Sequence, residues 1–294
     1  LATETGFEID WLKERFRFDS DARNQNVEQI CIDYFQDDPI LNIVDIGSGT
    51  GANGLYLIER FSQNQNWTFV ELNPALANAS IEKVYSFAQE KNYEIEIGKE
   101  HLLLQKGEQK IQIRIITESF LELEKHVDLQ HTDLLTANAV FDLLNEEMLL
   151  ALLQKLWQHQ VAILSTINYE GMAFWPASKT DPIYIERYEA HMQRPQSFGQ
   201  ALGPQTMPTL IKMCEEHKKL FTAGESNWRI AEMDTTMHQL LLDYLKTGVL
   251  DMLETDEDKK DFLLWLQIRQ NLARRYALQQ MVFHQDIFIP SHHS

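Results

Sequence analysis

The sequence predicts a three-layer α/β domain: a seven-stranded, mostly parallel sheet with helices on both faces and helical insertions forming a lid. Three observations predict it. Apolar runs of strand length at 41–46, 67–71, 134–139 and 161–166 alternate with helical patterns over short links, as in a parallel sheet covered on both sides. The glycine run Gly47-Ser48-Gly49-Thr50-Gly51 joins the first strand directly to a helix. The rhythm then breaks after Thr166 and again after 230, where long helical stretches intervene before a last alternating strand at 281–289.

Taken in order, residues 11–35 read as one helix, polar and acidic on one face with Val27, Ile30 and Tyr34 on the other, stopped by Asp37-Asp38-Pro39. After the first strand and glycine run, Leu55, Leu57, Ile58 and Phe61 mark a helix. Asn73-Pro74 opens another behind the second strand, with proline in its permitted first turn. Alternation through Ile95, Ile97, Leu102 and Leu104, a turn at Lys106-Gly107-Glu108, then Ile111, Ile113 and Ile115 predicts a hairpin feeding a third strand. A helix at 146–159 links the fourth and fifth strands. The proline- and aromatic-rich stretch 169–208, with a helix at 182–193, reads as an irregular lid, followed by a helix at 207–219, a strand at 220–229 and long helices at 233–253 and 258–279. The expected division is an N-terminal helical segment at 1–40, the sheet domain at 41–169 with 209–230 and 280–294, and lid insertions at 170–208 and 231–279.

Composition narrows the function. With 294 residues, 44% hydrophobic and 24% charged, the chain has ordinary globular composition and enough length for a sizeable core. A net charge of −18, without a basic stripe beyond Lys259-Lys260 and Arg274-Arg275, argues against a nucleic-acid partner. Cys31 and Cys214 are too few for a disulfide framework, and no apolar run reaches the roughly 18 residues of a membrane span, so a cytoplasmic chain with no membrane partner is expected. The absent initiator methionine suggests a natural start upstream, and His292-His293 read as a tag remnant outside any site.

The glycine run follows Asp45-Ile46 at a strand end, where glycines let backbone approach a ligand closely. Twenty residues beyond Gly51, Glu71 ends the second strand, placed to accept hydrogen bonds from ribose hydroxyls. An adenosine-type cofactor satisfies both features. Asp45 through Gly51 resembles the first motif of class I S-adenosylmethionine-dependent methyltransferases, Asp/Glu-x-Gly-x-Gly-x-Gly, without a gap. The resemblance spans residues 41–166 in motif order and implies a Rossmann-like fold whose terminal Phe221 and Val282 strands close the sheet as an antiparallel pair. It implies that Asp45, Gly47, Ser48, Gly49, Thr50 and Gly51 cradle S-adenosylmethionine (with S-adenosylhomocysteine as product) and that Glu71 holds its ribose. By the same resemblance Leu72 packs on the adenine, Glu118, Ser119 and Phe120 surround its amino group, Asn138 and Ala139 face the methionine moiety and the substrate, and Arg23 pairs with the cofactor carboxylate. Trp67-Thr68-Phe69-Val70, the 198–204 segment and Asn227-Trp228-Arg229 resemble a bacterial subgroup of such enzymes whose substrate is unassigned.

A competing reading lies in the same loop: Gly49-Thr50-Gly51-Ala52-Asn53-Gly54 is formally GxGxxG, the nicotinamide fingerprint. Against it stand Asp45 before the glycines, a helical region ahead of the first strand, and no second βαβ half after the fifth. A cofactor-binding regulatory subunit without turnover is the non-enzyme alternative. Methyl transfer needs chiefly an in-line nucleophile, with a general base where the acceptor is a hydroxyl or ammonium. His191 is the candidate base, and Tyr169, Trp175, Tyr188 and Arg194 are candidate pocket residues in the lid segment. His131-x-Asp133 and His284-x-Asp286 each place a His and an Asp on one strand face but lack a third ligand at metal-site spacing, so no metal is expected. The fourth strand ends Asn138-Ala139-Val140, without the Asn-Pro-Pro-Tyr or Pro-Cys signatures of base-directed methylation. The expected activity is O- or N-methylation of a small-molecule acceptor; the oligomeric state is left open.

Overall fold

The computed structural model describes residues 9–99, 101–196 and 199–291, so Phe198 and His292-His293 lie outside the described residues. The helix expected over 11–35 is two, α1 (Ile9–Ala22) and α2 (Gln25–Tyr34). Asn24 divides them: its backbone is extended and its side chain accepts the Val27 N–H at 3.0 Å, an N-cap that starts a new helix. α2 buries Val27 and Cys31 and leaves Ile30 exposed, one position off the expected face.

The remaining chain runs β1 (Ile40–Ile46), α3 (Ala52–Ile58), β2 (Asn64–Val70), α4 (Pro74–Glu90), β3 (Glu94–Ile97), β4 (Leu102–Lys106), β5 (Gln109–Ile116), β6 (Leu134–Asn138), α5 (Glu146–Gln158) and β7 (Ala162–Trp175). It continues through α6 (Asp181–Met192), β8 (Pro195–Gln196), β9 (Gly199–Gln200), α7 (Thr206–Glu216), β10 (Thr222–Glu225), β11 (Trp228–Ile230), α8 (Thr235–Asp251), α9 (Asp256–Arg274) and β12 (Gln279–Ile289). The sheet order is β10-β12-β7-β6-β1-β2-β5-β4-β3, with β11 also paired to β12. The five strands β5-β2-β1-β6-β7 are parallel. β12 closes antiparallel on β7, and β10 and β11 antiparallel on β12. The seven expected positions are therefore present, and β4 and β3 extend the sheet by an antiparallel hairpin.

Period-two alternation sends neighbouring side chains to opposite layers. Ile43, Trp67 and Phe69 pack with α2, α3 and α4 through Val27, Ile58 and Val84, while Val44, Ile46 and Leu135 pack with α5 and α7 through Leu153, Leu156 and Leu210. A third apolar cluster joins Phe174 of β7 to α6, α8 and α9 through Tyr184, Leu245 and Trp265.

Three boundaries differ from expectation. β7 does not stop at Thr166 but runs to Trp175, so residues 169–175 are strand and the insertion begins after them; Ile167, at φ 56°, lies in left-handed backbone partway along. The strand expected at 220–229 is split into β10 and β11, because Ser226 N–H turns to the His284 carbonyl at 2.8 Å. α9 ends at Arg274, five residues before β12 begins. At the end of β7, buried Arg269 donates to the Pro176 carbonyl at 2.6 Å and to Asp181, whose Oδ1 also accepts the Trp265 indole N–H at 2.8 Å, fastening the helical insertions to the sheet.

Candidate functional site

β1 brings Asp45 to the carboxyl edge of the parallel strands, and residues 47–51 turn the chain into α3. Gly47 and Gly51, at φ 57° and 75°, hold left-handed backbone. A Cβ on Gly47 would stand 2.8 Å from Val140, and one on Gly51 2.9 Å from the Phe69 ring, so neither place has room for a side chain. Ser48 N–H donates to the Val70 carbonyl at 3.1 Å, tying the loop to β2. Just beyond β2, the buried Glu71 carboxylate accepts Gly49 N–H through Oε2 and Asn73 N–H through Oε1, each at 2.8 Å. Each oxygen has a second lone pair with which to accept a hydroxyl.

Asp45 is buried beside the loop. Its Oδ1 accepts Asn53 Nδ2 at 2.6 Å and Thr136 Oγ1 at 2.7 Å, while Oδ2 and the neighbouring Ser48 Oγ are buried without a partner. Burial pushes the Asp45 carboxyl up to about 6, against the pull of the Thr136 and Asn53 hydrogen bonds. Thr50 is buried and accepts Lys83 Nζ at 3.4 Å. Arg23, also buried, donates to Asn53 and lies 5.1 Å over the Tyr56 ring, so it meets the loop through Asn53.

A cavity of about 50 Å³ lies over the loop, walled by Asp45, residues 47–50, Asn53 and Asn138 and closed by Leu12, Arg15, Phe16 and Asp19 of α1. Asn138 donates to Asp19 at 3.0 Å and accepts Thr166 Oγ1 at 3.0 Å; Ala139 N–H reaches the Thr166 carbonyl at 2.9 Å. The end of β6 thus ties α1 to the sheet. Leu72 is exposed just after β2. Glu118 is 3.6 Å from His126, Ser119 caps the following turn by accepting Leu121 N–H at 3.3 Å, and Phe120 packs on the α5–α7 layer.

The candidate acceptor residues divide. Tyr169 is buried and donates to Glu189 at 3.2 Å; Tyr188 is half-buried, and desolvation pushes its hydroxyl up to about 12. Trp175 is 44% exposed at the far end of β7. His191 Nε2 and Arg194 Nη2 lie 3.4 and 3.2 Å from the same Asp251 oxygen, a clasp between α6 and α8. Desolvation and Arg194 hold the imidazole below its ordinary value, hence neutral at pH 7. Neither residue lines the cavity over the glycine loop.

Sequence reasoning missed Arg15, Asp19 and Asp142. Arg15 donates twice to Asp19, at 3.0 and 3.3 Å, and Asp19 also accepts the Trp228 indole N–H at 3.1 Å. Nothing in the local pattern sets that pair apart from an ordinary i, i+4 surface pair. His131 and Asp133 do not share a strand face: His131 pairs with Asp128 at 2.7 Å, and Asp133 accepts Asn42 N–H at 2.7 Å. Asp286 accepts the backbone N–H groups of Asn24 and Ile167, both at 2.8 Å, while His284 packs on Trp228. Among the described residues no group of His, Cys, Asp and Glu is arranged to hold a metal, and no helix is long and apolar enough to cross a membrane.

No family model and no curated protein matches the sequence. Solved structures do match the fold. The YcgJ protein of Bacillus subtilis aligns over 92% of this chain and 100% of its own, with TM-score 0.50 and 12% identity. A cyclopropane-fatty-acyl-phospholipid synthase-like protein from Lactobacillus casei aligns over 97% and 95%, with TM-score 0.50 and 10% identity. The fold is that of the class I S-adenosylmethionine-dependent methyltransferases. A methyltransferase sheet accounts for the reversed β12, which stands where a dinucleotide-binding fold of two βαβαβ halves would continue in parallel. It also accounts for β10 and β11 at the edge beyond it. A geranyl diphosphate C-methyltransferase from Streptomyces coelicolor, solved with S-adenosyl-L-homocysteine, aligns over 90% and 76%, with TM-score 0.42 and 11% identity.

Proposed function

We propose that this chain transfers a methyl group from S-adenosylmethionine to a small, non-nucleic-acid acceptor at oxygen or nitrogen. One observation carries the reading: a glycine loop in left-handed backbone at the end of β1, strapped to a buried Glu71 whose oxygens each keep a lone pair. The orphaned Ser48 Oγ and Asp45 Oδ2 beside the same cavity are polar atoms awaiting a partner, and they fit the donors and acceptors of a nucleoside amino acid. Glu71 would accept the ribose hydroxyls, residues 47–51 would lie under the nucleoside, and Asn138 with Ala139 would face the methionine end. Leu72 and residues 118–120, at the ends of β2 and β5, would border the adenine.

When bound, the sulfonium supplies an electrophilic methyl group, so the protein's part is to hold an acceptor in line and to exclude water. The cavity is far smaller than the roughly 300 Å³ of a typical ligand pocket, so binding requires Leu12 and Phe16 of α1 to move off the loop. α1 would then close again as a roof. Calorimetric titration with S-adenosylhomocysteine tests the reading. Binding is expected, and Glu71→Ala should weaken it by at least about tenfold, the worth of a charge-assisted hydrogen bond. No heat with the wild type, or unchanged affinity in Glu71→Ala, sinks the reading.

A further inference from the structure

Beyond the glycine loop, on the other side of Arg15, lies an arc of aromatic rings drawn from five separate elements. Trp11 of α1 meets Tyr244 of α8 at 4.8 Å and Trp228 of β11 at 6.0 Å between ring centroids. Trp228 meets His284 of β12 at 4.9 Å, and His284 meets Tyr169 of β7 at 6.1 Å. Within this arc the Arg15 guanidinium lies 5.8 Å from the Trp11 ring and 5.3 Å from the Trp228 ring, a cation on two indoles.

The charges around it are unbalanced. Arg15 is the cation, doubly bonded to Asp19. Asp142, in the turn after β6, lies within electrostatic reach of Arg15 and Tyr188, and its Oδ1 is buried with no hydrogen-bond partner. Behind the arc, half-buried Glu189 is engaged by the Tyr169 hydroxyl. His284 contributes no positive charge, because burial and Arg15 hold it down to about 3. Arg15 and Asp19 satisfy one another, so the carboxylate beside Arg15 that still has a buried oxygen without a partner is Asp142, and that orphaned atom is a hydrogen-bond acceptor. Because the guanidinium is already engaged by Asp19, it is a poor receptor for an anionic ligand. The unmet demand is for a cation carrying N–H or methyl groups.

We propose that this aromatic arc is the acceptor subsite, that it takes a small organic ammonium with Asp142 as its counter-ion, and that in this structure the Arg15 guanidinium sits in that cation's place. The proposal rests on the methyl-transfer reading, and its position agrees with it: Arg15 and Asp19 also close the glycine-loop cavity, so a ligand that replaces Arg15 adjoins the cofactor site. Since α1 must already shift for the cofactor, Arg15 leaves the arc by the same movement.

The test is calorimetric titration of the full chain, with S-adenosylhomocysteine present, using benzylamine, benzyltrimethylammonium, benzyl alcohol and benzoate as probes. The two ammonium probes should bind at least about tenfold more tightly than the alcohol or the benzoate. Asp142→Asn should remove most of that preference while leaving S-adenosylhomocysteine affinity within about twofold, and Arg15→Ala, which vacates the arc and frees Asp19, should strengthen ammonium binding. Equal binding of benzyl alcohol or benzoate, no binding of any probe at about 10 mM, or an unaltered preference in Asp142→Asn overturns the proposal. The wild-type comparison stands even if a variant folds poorly. S-adenosylhomocysteine binding without an ammonium preference overturns this subsite alone; failure of S-adenosylhomocysteine to bind overturns the methyl-transfer reading beneath it.

Discussion

The glycine loop and the aromatic arc adjoin across Arg15, yet they are built in opposite ways. The loop is local: Asp45, residues 47–51 and Glu71 come from one strand–turn–helix–strand unit, and its bonds run from Gly49 to Glu71 and from Ser48 to Val70. The arc is assembled from Trp11, Asp142, Tyr169, Trp228, Tyr244 and His284, residues that only the finished fold brings together. The loop is therefore specified by a short motif, while the arc depends on six segments, α1, the turn after β6, β7, β11, α8 and β12, that only the tertiary structure brings together. If that division is real, the two halves should fail separately.

The largest effect is expected where the insertions are fastened. Arg269→Ala leaves Asp181 buried without its cation, at a cost of about 3 to 5 kcal/mol. In urea unfolding the variant should lose that much stability. S-adenosylhomocysteine affinity, measured where the protein remains folded, should change by less than about threefold, because Arg269 touches no residue of the loop. A parallel collapse of cofactor affinity would show that the two halves are one unit.

The next effect concerns Asp142, whose carboxyl is pushed up to about 6 by burial, against the pull of Arg15. Its folded value lies above the unfolded value of about 3.9. Between the two the folded chain holds a proton that the unfolded chain has lost, so this group stabilises as pH falls through that window and costs stability as pH rises through it. At pH 8 Asp142→Asn should be more stable than wild type by about 3 kcal/mol, and at pH 4 no more stable. Thermal melts at the two values check it. A variant equally stable at both would mean that the carboxylate is solvated, and would remove the buried, unpartnered acceptor from the arc.

The same contrast governs what could be read from the sequence. The parallel core, the glycine loop and Glu71 were legible because each signal is contiguous or separated by one helix. β7 beyond Thr166 was not, because Asn168, Glu170 and Gly171 break the apolar run and Tyr169 through Trp175 are paired with β12, more than a hundred residues later. The break between α1 and α2 was written in Asn24, a capping residue, but the apolar periodicity runs through it. Arg15 and Asp19 carry no sequence signal at all: their importance comes from Trp228 and Asn138, which fold against them.

On the loop side, Gly51→Ala asks for left-handed backbone from a residue with a Cβ, 2.9 Å from the Phe69 ring. Strain and overpacking together should cost about 1 to 3 kcal/mol and lower S-adenosylhomocysteine affinity, without altering the ammonium preference of the arc. Loss of that preference along with affinity would tie the two halves together again.

The smallest effect is expected at His191. Its imidazole is neutral at pH 7, as a general base requires, but its Nε2 faces Asp251, and Arg194 shares that oxygen. The pair sits on the α6–α8 seam, and Asp251 is largely exposed, so solvent screens the interaction. His191→Gln should therefore cost less than about 1 kcal/mol and leave methyl transfer to any accepted substrate within about twofold. A loss of turnover of a hundredfold or more, the size expected for removal of a general base, would place the acceptor's proton at α6. The aromatic arc would then be a wall of the pocket and not its recognition surface.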